Sequence, residues 1–149
     1  MIYSDIEDLL FCEEAQEHLY EGLRYTAPFF AIIDGTVADV FLFYSVDGED
    51  AWCYRFLAVD PKNKKVVKVE SDLEILLEEL FSDKADYGEY KQIYEELHGF
   101  IFEKELTQEQ KNVAKKYLFF VEQKNYQYVK AVYTELFPEV LEWLREQTK

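Results

Sequence analysis

Apolar and polar positions change period twice along the chain, from helical to strand-like near Pro28 and back to helical near Ser71. Before Pro28, Leu9, Cys12, Ala15, Leu19 and Leu23 recur at helical spacing. They follow Ser4-Asp5-Ile6-Glu7, where the Ser4 hydroxyl and Glu7 carboxylate can close a capping box, so a first helix is expected as far as Gly22 or Leu23. From 29 to 69 the pattern predicts a four-stranded antiparallel meander. Phe29–Ile33 ends at Asp34-Gly35, a dipeptide suited to the positive φ of a tight hairpin. Thr36–Tyr44 puts Val37, Asp39, Phe41 and Phe43 on one face and Ala38, Val40, Leu42 and Tyr44 on the other. Both faces are largely apolar, which marks a central strand covered on both sides. Asp47-Gly48, within a loop of about five residues, turns the chain into Ala51–Val59. Asp60-Pro61-Lys62-Asn63-Lys64 then reads as a type I turn with Asn63 in the left-handed region. Lys65–Val69 alternates lysine with valine, as a half-exposed edge strand does.

Helical spacing returns with Ser71-Asp72-Leu73-Glu74, a second capping box, and with Leu73, Leu76, Leu77 and Leu80 as the buried stripe of a helix over Ser71–Phe81. Tyr90, Ile93, Tyr94 and Leu97 line the next helix, with Gly99 as its C′ residue. Thr107-Gln108-Glu109-Gln110 repeats the capping box ahead of Val113, Ala114, Tyr117, Leu118 and Val121. A last stripe from Val129 to Leu144 is interrupted by Pro138, which fits the first turn of a second helical piece. The fold class expected is α+β: an N-terminal helix, a four-stranded antiparallel meander sheet, then a C-terminal set of four or five helices packed on the sheet. Nothing in residues 1–149 reads as a linker, so one domain is expected.

Hydrophobic content of 49%, with 17% aromatic, supports a sizeable core despite a net charge of −15. No apolar run approaches the ~20 residues that span a bilayer. The first residues lack the basic and apolar regions of a secretory leader. Cys12 and Cys53 read as reduced core residues rather than a disulfide framework, so a cytoplasmic location is expected.

The distribution of charge says more than its total. Residues 5–21 carry seven acids and no lysine or arginine, and residues 70–96 carry ten acids against Lys84 and Lys91. Residues 24–69 and 103–149 are each balanced. Acidic helix faces can be no more than solvated surface. Segregated charge nevertheless costs self-repulsion that interspersed charge avoids, and a single-sign surface steers a basic partner. Direct binding to nucleic acid or to an anionic membrane is disfavoured by phosphate repulsion. Tyr87, Tyr90 and Tyr94 lie within the second acidic segment, where tyrosine could supply contact area at low entropic cost or simply fill a core. The candidate partner-binding residues are Glu74, Glu78, Glu79, Asp83, Asp86, Tyr87 and Glu89.

Catalytic chemistry finds little purchase. Glu95 and His98 have the spacing of one half of a carboxylate-bridged metal site, but the other histidine, His18, follows Glu14 at four residues and does not complete it. No Cys-x-x-Cys, His-x-His or phosphate-cradling glycine loop is present, and Ser4 and Ser71 are taken up as caps. No catalytic residue, metal or cofactor is expected, and the chain is read as a non-enzyme.

Thr36–Tyr44, Ala51–Val59, the Asp60-Pro61-Lys62-Asn63-Lys64-Lys65 turn and Ser71-Asp72-Leu73-Glu74-Ile75-Leu76-Leu77-Glu78-Glu79-Leu80 resemble, in that order, the small acidic immunity proteins of bacterial toxin systems, and are similar to patterns in the SUKH superfamily. The Gly-rich sheet signature of that superfamily is missing and the tail from Tyr87 has no counterpart there, so no functional residue carries across. The resemblance implies a non-enzymatic inhibitor that neutralises a basic toxin, often a nuclease. Two alternatives share the same sequence features. One is a DNA mimic, which needs two parallel rows of acids. The other is a small-ligand or metal-binding enzyme domain using Glu95 and His98 or a cleft between sheet and helices.

Overall fold

A computed structural model of the chain describes residues 24–78, 80–81, 84–123 and 126–149. The helix expected behind Ser4 lies outside the described residues. Two compact units make up the fold, Met1–Leu77 and Glu78–Lys149.

Among the described residues, six strands form the antiparallel sheet of the first unit: β1 (Arg24–Tyr25), β2 (Phe29–Ile33), β3 (Thr36–Asp47), β4 (Asp50–Asp60), β5 (Lys65–Glu70) and β6 (Ile75–Leu76). The expected count of four is therefore corrected to six. Both outer strands are broken: β1 and β2 pair in tandem along β3, and β5 and β6 in tandem along β4. The first break falls at Thr26-Ala27-Pro28, where Pro28 has no N–H to give to a ladder. Thr26 bridges it. Its N–H donates to the Leu42 carbonyl at 3.0 Å, its hydroxyl accepts from the Leu42 N–H at 3.3 Å, and that hydroxyl donates onward to the Ala27 carbonyl at 2.9 Å. A buried threonine thus keeps the β3 backbone satisfied where the edge strand fails.

The second break overturns a sequence expectation. The described residues of 71–81 do not form a helix. Leu73 donates to the Tyr54 carbonyl and Leu77 to the Ala51 carbonyl, with β6 paired to Trp52 and Cys53 between them. Burial follows a period of two, with Ile75 and Leu77 inside and Glu74 and Glu78 outside. The Ser71 capping box lost to a long-range demand. β5 ends opposite Phe56, so the first half of β4 would be an open edge without β6. Ladder hydrogen bonds along that edge outweigh a local propensity worth tenths of a kcal/mol per residue, on the order of magnitude that host–guest scales give.

The hairpins are tighter than expected. Asp34 and Gly35 both adopt positive φ, 52° and 79°, as a two-residue type I′ turn requires. The expected five-residue loop after β3 is the pair Gly48-Glu49, because the ladder runs on to Asp47↔Asp50; Gly48 has φ +65°. In the next turn the left-handed position is Lys64, φ 55°, and not Asn63. Asn63 instead donates from Nδ2 to the buried Asp60 carboxylate at 2.7 Å, and the Lys62 and Asn63 amides donate to it as well. Burial raises the Asp60 pKa, but the Asn63 side chain, these amides and the Lys62 charge together hold it below the ordinary aspartate value.

Both faces of β3 are buried over residues 40–43, as its pattern predicts, and both faces of β4 are buried over residues 56–59. Phe41, Phe43, Leu57 and Val59 cluster on one face with Tyr25 and Val66, and Val40, Leu42, Phe56 and Ala58 are buried on the other. The Arg55 guanidinium lies over the Phe43 ring at 5.1 Å, a cation–π contact that helps carry a charge into this layer. A one-residue slip would exchange every side chain between faces, so the two distinct packings fix the register.

The described residues of the second unit hold four helices: α1 (Lys84–His98), α2 (Gln108–Val121), α3 (Gln127–Leu136) and α4 (Pro138–Gln147). The Thr107 capping box forms as expected, with Gln110 N–H donating to the Thr107 hydroxyl and Thr107 N–H to the Gln110 side chain. Pro138 occupies the first turn of α4 and splits the last stripe into two helices. Gly99 follows α1 but without a positive φ; that conformation falls to Phe102, φ 69°, whose ring packs edge-on against Trp143.

The core of this unit is aromatic. Phe81 lies within 5.8 Å, ring centroid to centroid, of Tyr90, Phe120, Tyr126 and Tyr128. Inside it the hydroxyls of Tyr90, Tyr117 and Tyr133 form a chain, with the Tyr90–Tyr117 link at 3.0 Å and a short bond from Tyr117 to Tyr133. All three residues are fully buried. Burial first, and then the neighbouring phenols, push Tyr90 and Tyr117 well above the ordinary tyrosine pKa.

Candidate protein-binding surface

α1 is positioned by one apolar stripe. Tyr90, Ile93, Tyr94 and Leu97 are buried, which turns Glu89, Gln92, Glu95 and Glu96 outward. Tyr90 packs at a tilt against Phe120 and Tyr94 against Tyr117, so α1 and α2 run antiparallel, and a groove of about 700 Å³ opens between them. Glu89, Gln92 and Glu96 form the α1 rim, and Asn112, Lys115 and Lys116 the α2 rim. Ile93 and Phe120 line the floor. Phe119 stands on the α2 side with 71% of its surface exposed.

The sequence-predicted site residues divide across this picture. Glu74 is exposed in the first unit, on the segment leading into β6. Glu78 is exposed at the start of the second. Glu79 and Asp83 lie outside the described residues. Asp86 sits half-exposed in the first turn of α1, where a carboxylate complements the positive end of the helix dipole. Tyr87 is half-buried against Phe81, ring centroids 6.1 Å apart, so part of its surface belongs to the core. Tyr90 and Tyr94 are core residues outright. Glu89 is the predicted residue that lines the groove, and Glu96 joins it one and a half to two turns on.

Phe119 was missed. The signal was present, since Phe119 falls out of phase with the stripe Val113, Ala114, Tyr117, Leu118 and Val121; an apolar residue off the buried face is the kind worth marking.

Other reactive groups have structural employment. Glu95 pairs with Lys91 at 3.6 Å, and the His98 ring packs against Tyr94. Among the described residues no three His, Cys, Asp or Glu side chains gather as a metal site. The buried Cys53 thiol donates to the Arg55 carbonyl at 3.3 Å, and burial pushes its pKa up to about 11. It is therefore a poor nucleophile at neutral pH. Among the described residues no helix is long and apolar enough to cross a membrane. No family model, curated protein or solved structure matches the chain.

Proposed function

We propose that the chain is a non-enzymatic binding protein that captures a basic protein partner through the acidic side of α1. The supporting observation is the exposed Phe119 ring beside a groove whose far rim carries Glu89 and Glu96. An aromatic side chain in water forfeits on the order of 1.5–3 kcal/mol of burial free energy, which a partner's apolar surface would recover. Carboxylates around such an anchor raise the encounter rate with a basic protein and select against acidic ones.

Within that reading, the partner class suggested by the resemblance and by the segregated acid is a basic bacterial toxin domain, possible activities including a nuclease, and the chain would act as its immunity protein. A DNA mimic would need a second acidic row parallel to the first. Across this groove α2 instead offers Lys115 and Lys116, which favours a protein over a nucleic-acid-binding surface as the target.

The test is a variant carrying Glu78→Lys, Asp86→Lys, Glu89→Lys and Glu96→Lys, assayed against the basic protein recovered from native cells at low ionic strength. Exposed ion pairs are individually worth ~0–1 kcal/mol, so folding should survive the reversals. The association rate should fall at least about tenfold, with a flatter salt dependence. An unchanged rate would show that the acidic side of α1 is only a solvated surface.

A further inference from the structure

We infer that the α1–α2 groove seats a two-turn amphipathic helix of the partner, in one fixed direction, with an apolar side chain against Phe119. The inference rests on the protein-capture reading and specifies its mode.

Three features of the groove lead there. Its floor is apolar, Ile93 and Phe120, and Phe119 adds an exposed ring at its edge. Its length suits a short helix: Glu89 to Glu96 spans about 10 Å at 1.5 Å per residue, or two turns. A helix lying between two antiparallel helices presents residues at i, i+3, i+4 and i+7 to both, which is the helix-in-groove mode of recognition.

The third feature is charge, and it fixes the direction. The α1 rim is acidic, Glu89 and Glu96, whereas the α2 rim is basic, Lys115 and Lys116. A docked helix with bases on one flank and acids on the other therefore has a preferred orientation. Its basic flank must face α1. With the apolar stripe held down, turning the helix end for end would bring lysine to lysine and glutamate to glutamate. A second copy of the chain is the less suitable occupant, because two chains of net charge −15 repel each other.

The probes are two synthetic helical peptides with leucine at i, i+3, i+4 and i+7, one the flank-exchanged version of the other. In the first, lysines lie on one flank and glutamates on the opposite one. Each carries a nitroxide at its N-terminus, and amide signals of the intact protein are followed by NMR. Both peptides should bind. The first should broaden one end of the groove, either Glu89 and Gln123 or Glu96 and Asn112, and the flank-exchanged peptide the other end. Lys115→Glu with Lys116→Glu should abolish that preference. Phe119→Ala removes an exposed ring, should leave the thermal transition in place, and should weaken both peptides at least about tenfold. Absence of binding, the same end broadened by both peptides, or full affinity in Phe119→Ala would each overturn the inference. If the peptides fail while the charge-reversal variant still slows capture of the native basic protein, the docking mode falls and the capture reading stands. Failure of both removes the shared premise.

Discussion

Tyr117→Phe should be among the most destabilising single-atom changes available in the helical unit. The Tyr117 hydroxyl is the middle link of the buried chain, 3.0 Å from that of Tyr90 and in short contact with that of Tyr133. Removing it takes away the hydrogen bond that Tyr90 and Tyr133 each make to Tyr117. A buried polar group deprived of a partner costs about 1–3 kcal/mol. With two neighbours affected and some relaxation of each, the loss should be about 2–4 kcal/mol. Removing an end of the chain breaks one link and leaves Tyr117 bonded to Tyr133, so Tyr90→Phe should cost roughly half as much or less. Replacing Tyr90, Tyr117 and Tyr133 together by Phe leaves no hydroxyl of the chain behind and keeps the rings, so it should be nearly neutral. Urea unfolding followed by near-UV circular dichroism measures all of these, and amide exchange in α2 assigns the loss to this unit. The reasoning is refuted if Tyr117→Phe costs under about 0.5 kcal/mol, or if the triple variant is worse than the single one.

The same phenols predict an alkaline transition. Tyr90 and Tyr117 are held neutral in the folded state and ionise near pH 10 once unfolded. Their contribution is complete below about pH 10 and is lost as pH rises toward the raised folded values, with a slope of up to about 1.4 kcal/mol per pH unit for each; tyrosinate absorbance should rise together with loss of helical signal, and gradual ionisation of the folded protein would contradict it. The two capping boxes of the sequence pattern that fall on described residues should behave oppositely: Thr107→Ala should lower stability by about 1 kcal/mol, as loss of a working N-cap does, while Ser71→Ala should stay within about 0.5 kcal/mol because residues 71–74 cap no helix. Equal losses would restore the helix at 71–81.

Much of the fold was legible because local and long-range demands agree there. Asp34-Gly35 could turn, β3 was apolar on both faces, Thr107 had its Gln110, and Pro138 could only begin a helix. The errors come where a distant strand decides. Nothing within residues 71–81 says that the first half of β4 lacks a neighbour, yet that vacancy draws Ile75 and Leu76 into the sheet against their capping box. Pro28 announced a start to the sheet, but not that Arg24 and Tyr25 would already be pairing with Tyr44 and Phe43. For the candidate site, acid counts led to Glu89 and to Asp86. They missed Phe119 because charge was counted and phase was not; Tyr90 and Tyr94, for which contact surface and core were both open, are core residues, in line with the helical stripe.

Site-specific photo-crosslinking at Gln92, the exposed midpoint of the α1 rim, tests the central claim most directly. A benzophenone residue there, and at Glu142 on the exposed side of α4 as a reference, is activated in native cells, and the adducts are identified by mass spectrometry. Capture of a basic partner by α1 predicts one dominant adduct at Gln92, to a protein of basic isoelectric point, reduced by added salt and absent at Glu142. Adducts equal at the two positions, no adduct at Gln92, or a dominant acidic partner there would contradict it.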